Sequence, residues 1–161
     1  RGYFGGRYDA DSRWVDILAV ETGWTVCNMG QNGREIPSAA PAFPDDTDLL
    51  IVMLGTNDLL QGRSPEQAAG RLERFLSGVS MDRSKVLLIA PPPVTLGAWV
   101  SSPQLIDDSC TFARLCQALA ERMGIRFADA GRWGISLAYD GVHFTEQGHK
   151  AFAAGLLEEL K

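Results

Sequence analysis

The sequence predicts an α/β fold with a parallel sheet covered on both faces. Two continuous apolar runs, Leu49-Leu50-Ile51-Val52-Met53-Leu54 and Val86-Leu87-Leu88-Ile89-Ala90, are too short for helices. Unbroken apolar character suits strands buried on both sides. Between and after them lie segments with apolar residues at helical spacing. Strands that alternate with helices imply right-handed crossovers and parallel pairing.

Taken in order, residues 1–10 are rich in glycine and aromatic residues and read as a loop. From Ser12 to about Thr22, Trp14, Ile17 and Leu18 recur at helical spacing, with Ser12 as the expected N-cap and Gly23 as the stop. Trp24 to Met29 reads as a short strand, ended by the turn Gly30-Gln31-Asn32-Gly33. Residues 34–47 hold three prolines and little periodicity, which suits a surface loop. The run from Asp48 to Leu54 is the strongest strand, and Gly55-Thr56-Asn57-Asp58 stops it. Ser64-Pro65-Glu66-Gln67 then starts a helix as a capping box with proline at its first position. Ala68, Ala69, Leu72, Phe75 and Leu76 make its apolar stripe.

Val86–Ala90 is the next buried strand, and Pro91-Pro92-Pro93 ends it because proline cannot extend a ladder. A long helix begins near Ser102-Pro103, carries Leu105, Phe112, Ala113, Cys116, Leu119, Ala120 and Met123 on one side, and stops at Gly124. Ile125 to Ala128 is a further short strand. A last helix runs from about Glu146 to Leu160. The 161 residues suit one domain with a single good core.

Composition narrows the function. A net charge of -5 and a pI near 5.0 argue against nucleic acid or an anionic membrane as partner. No apolar run approaches the roughly 20 residues that span a bilayer. Cys27, Cys110 and Cys116 lack metal-site spacing and read as buried free thiols, which suits a reducing, cytoplasmic setting. The chain opens at Arg1 without a methionine, so a leader upstream stays open.

In parallel α/β folds functional groups gather at the C-terminal ends of strands. Gly33, Asn57, the triple proline and Asp140-Gly141-Val142-His143 all follow strand ends or close the last crossover. A carboxylate three positions before an imidazole can hold one ring nitrogen and leave the other for proton transfer. The same spacing also fits a turn aspartate and a helix-capping histidine. Gly33 offers a bare backbone N–H and Asn57 an amide N–H, two donors suited to an oxyanion. Read singly, Gly33 also fits a plain turn and Asn57 an Asx-turn. Trp99 and Trp133 follow strand ends and are open to use as pocket walls or as packing. His149 is read as packed or solvent-facing.

As an ordered set these blocks resemble the SGNH hydrolases, the GDSL-type esterase and lipase family. Asn28-Met29-Gly30-Gln31-Asn32-Gly33 is similar to its second block, Gly55-Thr56-Asn57-Asp58 to its G-x-N-D block, and Asp140-Gly141-Val142-His143 to its D-x-x-H block. Arg13-Trp14, Arg34, Pro91-Pro92-Pro93, Asp129-Ala130-Gly131 and His143-Phe144-Thr145-Glu146 resemble the arylesterase and acyltransferase branch, whose members handle short acyl esters. The resemblance implies a flavodoxin-like three-layer fold with strand order 2-1-3-4-5. It also implies a catalytic pair, Asp140 and His143, and an oxyanion hole of Gly33, or less readily Gly30, with Asn57. Arg34 and Asp58 are expected as supports. No metal or organic cofactor is implied, and the partner is a small-molecule ester.

The family's G-D-S block, which carries the nucleophilic serine, has no counterpart from Arg1 onward. Asp11-Ser12-Arg13 is the only lookalike, and no apolar strand precedes it. A strand ending in that serine is therefore expected before Arg1. The rival reading is a catalytically silent α/β domain that binds an ester-like ligand on the same rim. The loops 34–47 and 91–104 are open to use as a lid or as a contact in a homo-oligomer.

Overall fold

A computed structural model of the chain describes residues 12–31 and 33–161. The predicted loop at 1–10, Asp11 and Asn32 of the glycine turn lie outside the described residues. The elements run α1 (Trp14–Thr22), β1 (Leu50–Val52), α2 (Thr56–Leu60), α3 (Pro65–Ser77), β2 (Val86–Ala90), α4 (Pro103–Met123), β3 (Arg126–Asp129) and α5 (Glu146–Glu159). The three strands form a parallel sheet in the order β1-β2-β3. Leu50 pairs with Val86, and Leu88 with Phe127.

The central strand explains the layering. Side chains alternate across a strand, and every residue of β2 is buried. Val86, Leu88 and Ala90 meet Leu72, Phe75 and Leu76 of α3 and Phe112, Cys116 and Leu119 of α4. Leu87 and Ile89 point the other way, toward Leu18 of α1 and Phe152 and Leu156 of α5. Helices thus cover both faces, and the unbroken apolar run in the sequence is the signature of that double burial. Each fully buried leucine contributes about 2 kcal/mol.

Local signals hold at most helix ends. Ser64 and Gln67 form the capping box of α3, with Pro65 in its first turn. Ser102 caps α4 and Thr145 caps α5 through their hydroxyls. Gly23 and Gly124 close α1 and α4 in the left-handed conformation. No described helix is long and apolar enough to cross a membrane.

Four expectations need correction. Residues 24–29 form no strand, and Trp24 and Met29 are 47% and 46% exposed. A strand is held by its ladder, and among the described residues this segment has no partner to pair with. Nor does Ser12 cap α1. Arg13 occupies that position without a side-chain bond, and the Trp14 amide donates instead to Nδ1 of buried His149, 3.2 Å away. Cys27 is exposed and Cys110 half-buried, and only Cys116 is buried. Burial, with Asp129 adding to it, pushes the Cys116 thiol up to about 12, so it stays protonated. Finally, the Gly55–Asp58 block that was expected only to stop the strand opens a short helix, α2.

The entry to α2 depends on Gly55. Its φ is 123°, and a Cβ there would run into the ring of buried Phe112. Gly55→Ala is therefore expected to destabilise the fold by about 2–5 kcal/mol, from backbone strain plus overpacking. Urea denaturation of the two proteins measures this directly.

Candidate active site

The Asp140–His143 turn is built by the chain that leaves β2. Pro91-Pro92-Pro93 ends the ladder and sends residues 94–100 across the sheet's C-terminal edge. Val94 is tied down where its amide donates to the Ser109 hydroxyl of α4, 3.1 Å away. Three further amides then grip the turn. Thr95 donates to the Gly141 carbonyl, Ala98 to that of Tyr139 and Trp99 to that of Asp140, each at 3.0 Å. The fit is close enough that a Cβ on Gly141, whose φ is 83°, would strike the Thr95 carbonyl. On the far side Ala138 donates to the His143 carbonyl at 2.7 Å, and α5 begins three residues after His143.

Within the turn, one carboxylate does three things. Asp140 Oδ1 accepts the Val142 and His143 amides at 2.8 and 2.9 Å, and Oδ2 lies 2.7 Å from His143 Nδ1. Asp140 is 2% exposed and the His143 side chain 26%. Burial alone would raise the Asp140 pKa. The two amides and the His143 ring outweigh it and hold the carboxyl below its ordinary value of 3.8. An ionised Asp140 favours a proton on Nδ1, which leaves Nε2 as the ring nitrogen able to accept one. The Trp99 ring stands edge-on to the imidazole, with centroids 4.9 Å apart. Trp133 is core packing instead, against Phe152 of α5.

The second group of candidates follows β1. Asn57, in the first turn of α2, donates from Nδ2 to the Arg34 carbonyl at 3.2 Å. That contact spans 23 residues of chain, the Leu59 amide that an Asx-turn would use donates to the Gly55 carbonyl instead, and the Asn57 amide retains a second N–H. Gly33 precedes Arg34 directly and has a φ of 66°. Of the two glycines weighed in this loop, Gly30 has its N–H committed to Asn28 Oδ1 at 2.9 Å. Arg34 supports Asn57 through its main chain, while its guanidinium donates to the Met29 carbonyl at 3.1 Å. Asp58 is fully buried and accepts the Ile36 amide at 2.8 Å and Arg71 Nε at 2.9 Å. Asn57 and Asp58 thus follow the C-terminal end of β1 and the Asp140–His143 turn follows β3, whereas Gly33 and Arg34, expected after a strand, follow no described strand because residues 24–29 form none.

The sequence reading missed Arg71, Arg63 and Glu35 around Asp58, and the strap at 94–100. Long side chains on an amphipathic helix carry no local signal of a buried partner. Among the described residues, no group of three or more His, Cys, Asp or Glu is placed to hold a metal ion. A cavity of about 220 Å³ between α4 and residues 129–132 is lined by Cys110, Arg114 and Arg132 and includes none of the candidate residues.

Comparisons with known proteins identify the family and the fold. The GDSL-like lipase/acylhydrolase family matches residues 1–151. The aryl esterase of M. smegmatis is 28% identical, with a TM-score of 0.77 over 99% of this chain and 89% of that one. A proposed arylesterase from Agrobacterium tumefaciens is 26% identical, with a TM-score of 0.80 over 98% and 89% of the two chains. A carbohydrate acetylesterase family member from Sinorhizobium meliloti shares the fold at 21% identity, with a TM-score of 0.80 over 96% and 88%. No curated protein sequence matches the chain significantly. With the family matched across most of its length and the parallel α/β architecture in common, the chain belongs to the GDSL-like lipase/acylhydrolases, the carboxylic ester hydrolases of the SGNH fold.

Proposed function

We propose that the chain hydrolyses short-chain carboxylic esters through an acyl-enzyme, with His143 as base and Asp140 as the acid that orients it. The observation that carries this reading is the 2.7 Å contact between Asp140 Oδ2 and His143 Nδ1, made by a buried carboxylate that two amides also hold. Such a carboxylate sets the tautomer and steadies the imidazolium when it forms. Nε2 takes the proton of an attacking serine as the serine oxygen bonds to the ester carbonyl carbon. The oxyanion accepts from the Gly33 N–H and from the second N–H of Asn57 Nδ2. His143 then gives its proton to the departing alkoxide, and the acyl group stays on the serine. A water molecule, deprotonated by the same nitrogen, then attacks the acyl carbon, and His143 returns that proton to the serine oxygen as its bond to the acyl group breaks and the carboxylic acid leaves.

The likeness to the family assigns the nucleophile to the serine of its G-D-S block, which the sequence from Arg1 to Lys161 does not contain. Trp99, 55% exposed, gives the alcohol an apolar surface beside the base. Aryl alcohols follow from the likeness to the M. smegmatis aryl esterase, and short acyl groups from the resemblance to the arylesterase and acyltransferase branch.

Turnover of p-nitrophenyl acetate, with intact mass before and after a fluorophosphonate, tests the proposal. Steady hydrolysis and a single adduct that peptide mapping puts on a serine are expected. A protein that neither turns over nor takes the probe is a silent binding domain, and the proposal fails.

A further inference from the structure

The oxyanion donor proposed at Asn57 sits on a poor foundation. Its helix, α2, has five residues, too few to be rigid alone. The other wall of this corner, residues 33–36, belongs to a long irregular segment. Something else must fix the distance between them, because a donor displaced by about 1 Å loses much of its effect.

The contacts around Ile36 supply that link. Asp58 Oδ1 accepts the Ile36 amide at 2.8 Å. Arg71, on α3, donates from Nη2 to the Ile36 carbonyl at 2.7 Å and from Nε to Asp58 Oδ2 at 2.9 Å. The N–H and C=O of one residue are thus held by two side chains that also bind each other. Two residues back, the Arg34 carbonyl accepts from Asn57, and Asn57 is the chain neighbour of Asp58. The loop closes on itself through Asn57, Arg34, Ile36, Arg71 and Asp58.

Arg71 has no substitute in this arrangement. Arg63 Nε is 3.5 Å from Asp58 Oδ2 and makes no hydrogen bond. Arg63 spends Nη2 on Glu35, 3.1 Å away. Glu35 also lies 3.7 Å from Arg71 Nη2, so two carboxylates balance two guanidiniums around a fully buried Asp58. Only a planar fork reaches a carboxylate and a carbonyl together with fixed angles.

We infer that Arg71 is a positioning residue for the oxyanion hole, holding Asn57 in register with the Gly33–Ile36 segment through its grip on Asp58 and Ile36. The inference rests on the proposed role of Asn57, and its test is separable from that role. Arg71→Lys keeps the charge but loses the fork. The Asn57 side-chain amide pair, assigned by its absence in Asn57→Ala, is followed by ¹H–¹⁵N NMR in the full chain. Its exchange with water is expected to quicken about tenfold and its shifts to move toward solvent values, with other changes confined to residues 33–36 and 57–58. On p-nitrophenyl acetate, kcat should fall about 10- to 100-fold while KM stays within about twofold, the pattern of a donor felt mainly in the transition state. Should Arg71→Lys fail to fold, the charge-neutral pair Asp58→Asn with Arg71→Gln replaces it in the same measurements. Parent-like Asn57 amide signals in the folded variant overturn the inference, as do changes spread through α3 and α4 with Asn57 unmoved. If the parent hydrolyses no ester, the esterase reading falls and the amide signals still decide the clamp.

Discussion

His143→Ala is expected to lower ester turnover by about 10⁴- to 10⁶-fold, because it would remove the group proposed to take and return the proton in both half-reactions. The fold should survive the change. The side chain is 26% exposed and packs on Trp99, itself a rim residue. Asp140 loses its Nδ1 partner but keeps the Val142 and His143 amides, so its buried carboxylate is not stranded. A stability loss of about 1–2 kcal/mol is expected from the one broken charge-assisted bond. Circular dichroism and urea denaturation read the fold, and kcat/KM on p-nitrophenyl acetate reads the chemistry. A near-parental rate in a folded variant would remove His143 from the mechanism.

Asp140→Asn separates the two tasks of the carboxylate. An asparagine Oδ1 can still accept the two amides that shape the turn. Its NH2 group then faces His143 Nδ1, which must become an acceptor, and the ring proton moves to Nε2. A base protonated at its working nitrogen accepts nothing, and turnover should drop by about 10⁴-fold with the turn intact. The same variant tests the pKa of Asp140. Its folded-state value lies below the ordinary 3.8, so the ionised group stabilises the fold fully above the unfolded value. That contribution is lost as pH falls from there through the lower folded value. Unfolding free energies measured from about pH 5 down to about pH 2 should decline less steeply in Asp140→Asn than in the parent. Parallel curves would mean that Asp140 titrates alike in the folded and unfolded chains.

The comparison between the two candidate groups shows how unevenly a site is written into a chain. Asp140 and His143 are three residues apart, and a turn with glycine between them suffices to bring their side chains together. Such a pair is legible because its geometry is local. Asn57 carried a weaker signal, and its partner, the Arg34 carbonyl, lies 23 residues away. Arg71 carried none. Its contacts with Asp58 and Ile36 depend on how α3 packs against α2, and an arginine on a helix surface looks the same whether it meets water or a buried carboxylate. The strap at 94–100 was equally silent, since its hold on Asp140 runs through backbone amides that every residue except proline possesses.

The same distinction governs the fold. Pattern and local chemistry determined β2, the sheet's parallel sense and the ends of α3, α4 and α5. Period-two burial on both faces, hydroxyl caps and left-handed glycines act within a few residues of themselves. Tertiary structure decided the rest. Residues 24–29 have strand-forming side chains but lie exposed and unpaired with any described strand, because a ladder requires a neighbour that composition cannot supply. The start of α1 took the His149 ring from 135 residues away in place of the adjacent Ser12 hydroxyl, because packing α1 against α5 brought that acceptor to the Trp14 amide. Sequence by itself settled what each segment tends to be. Packing settled which distant groups satisfy its unpaired donors, and those long-range bonds hold the candidate oxyanion donor in place.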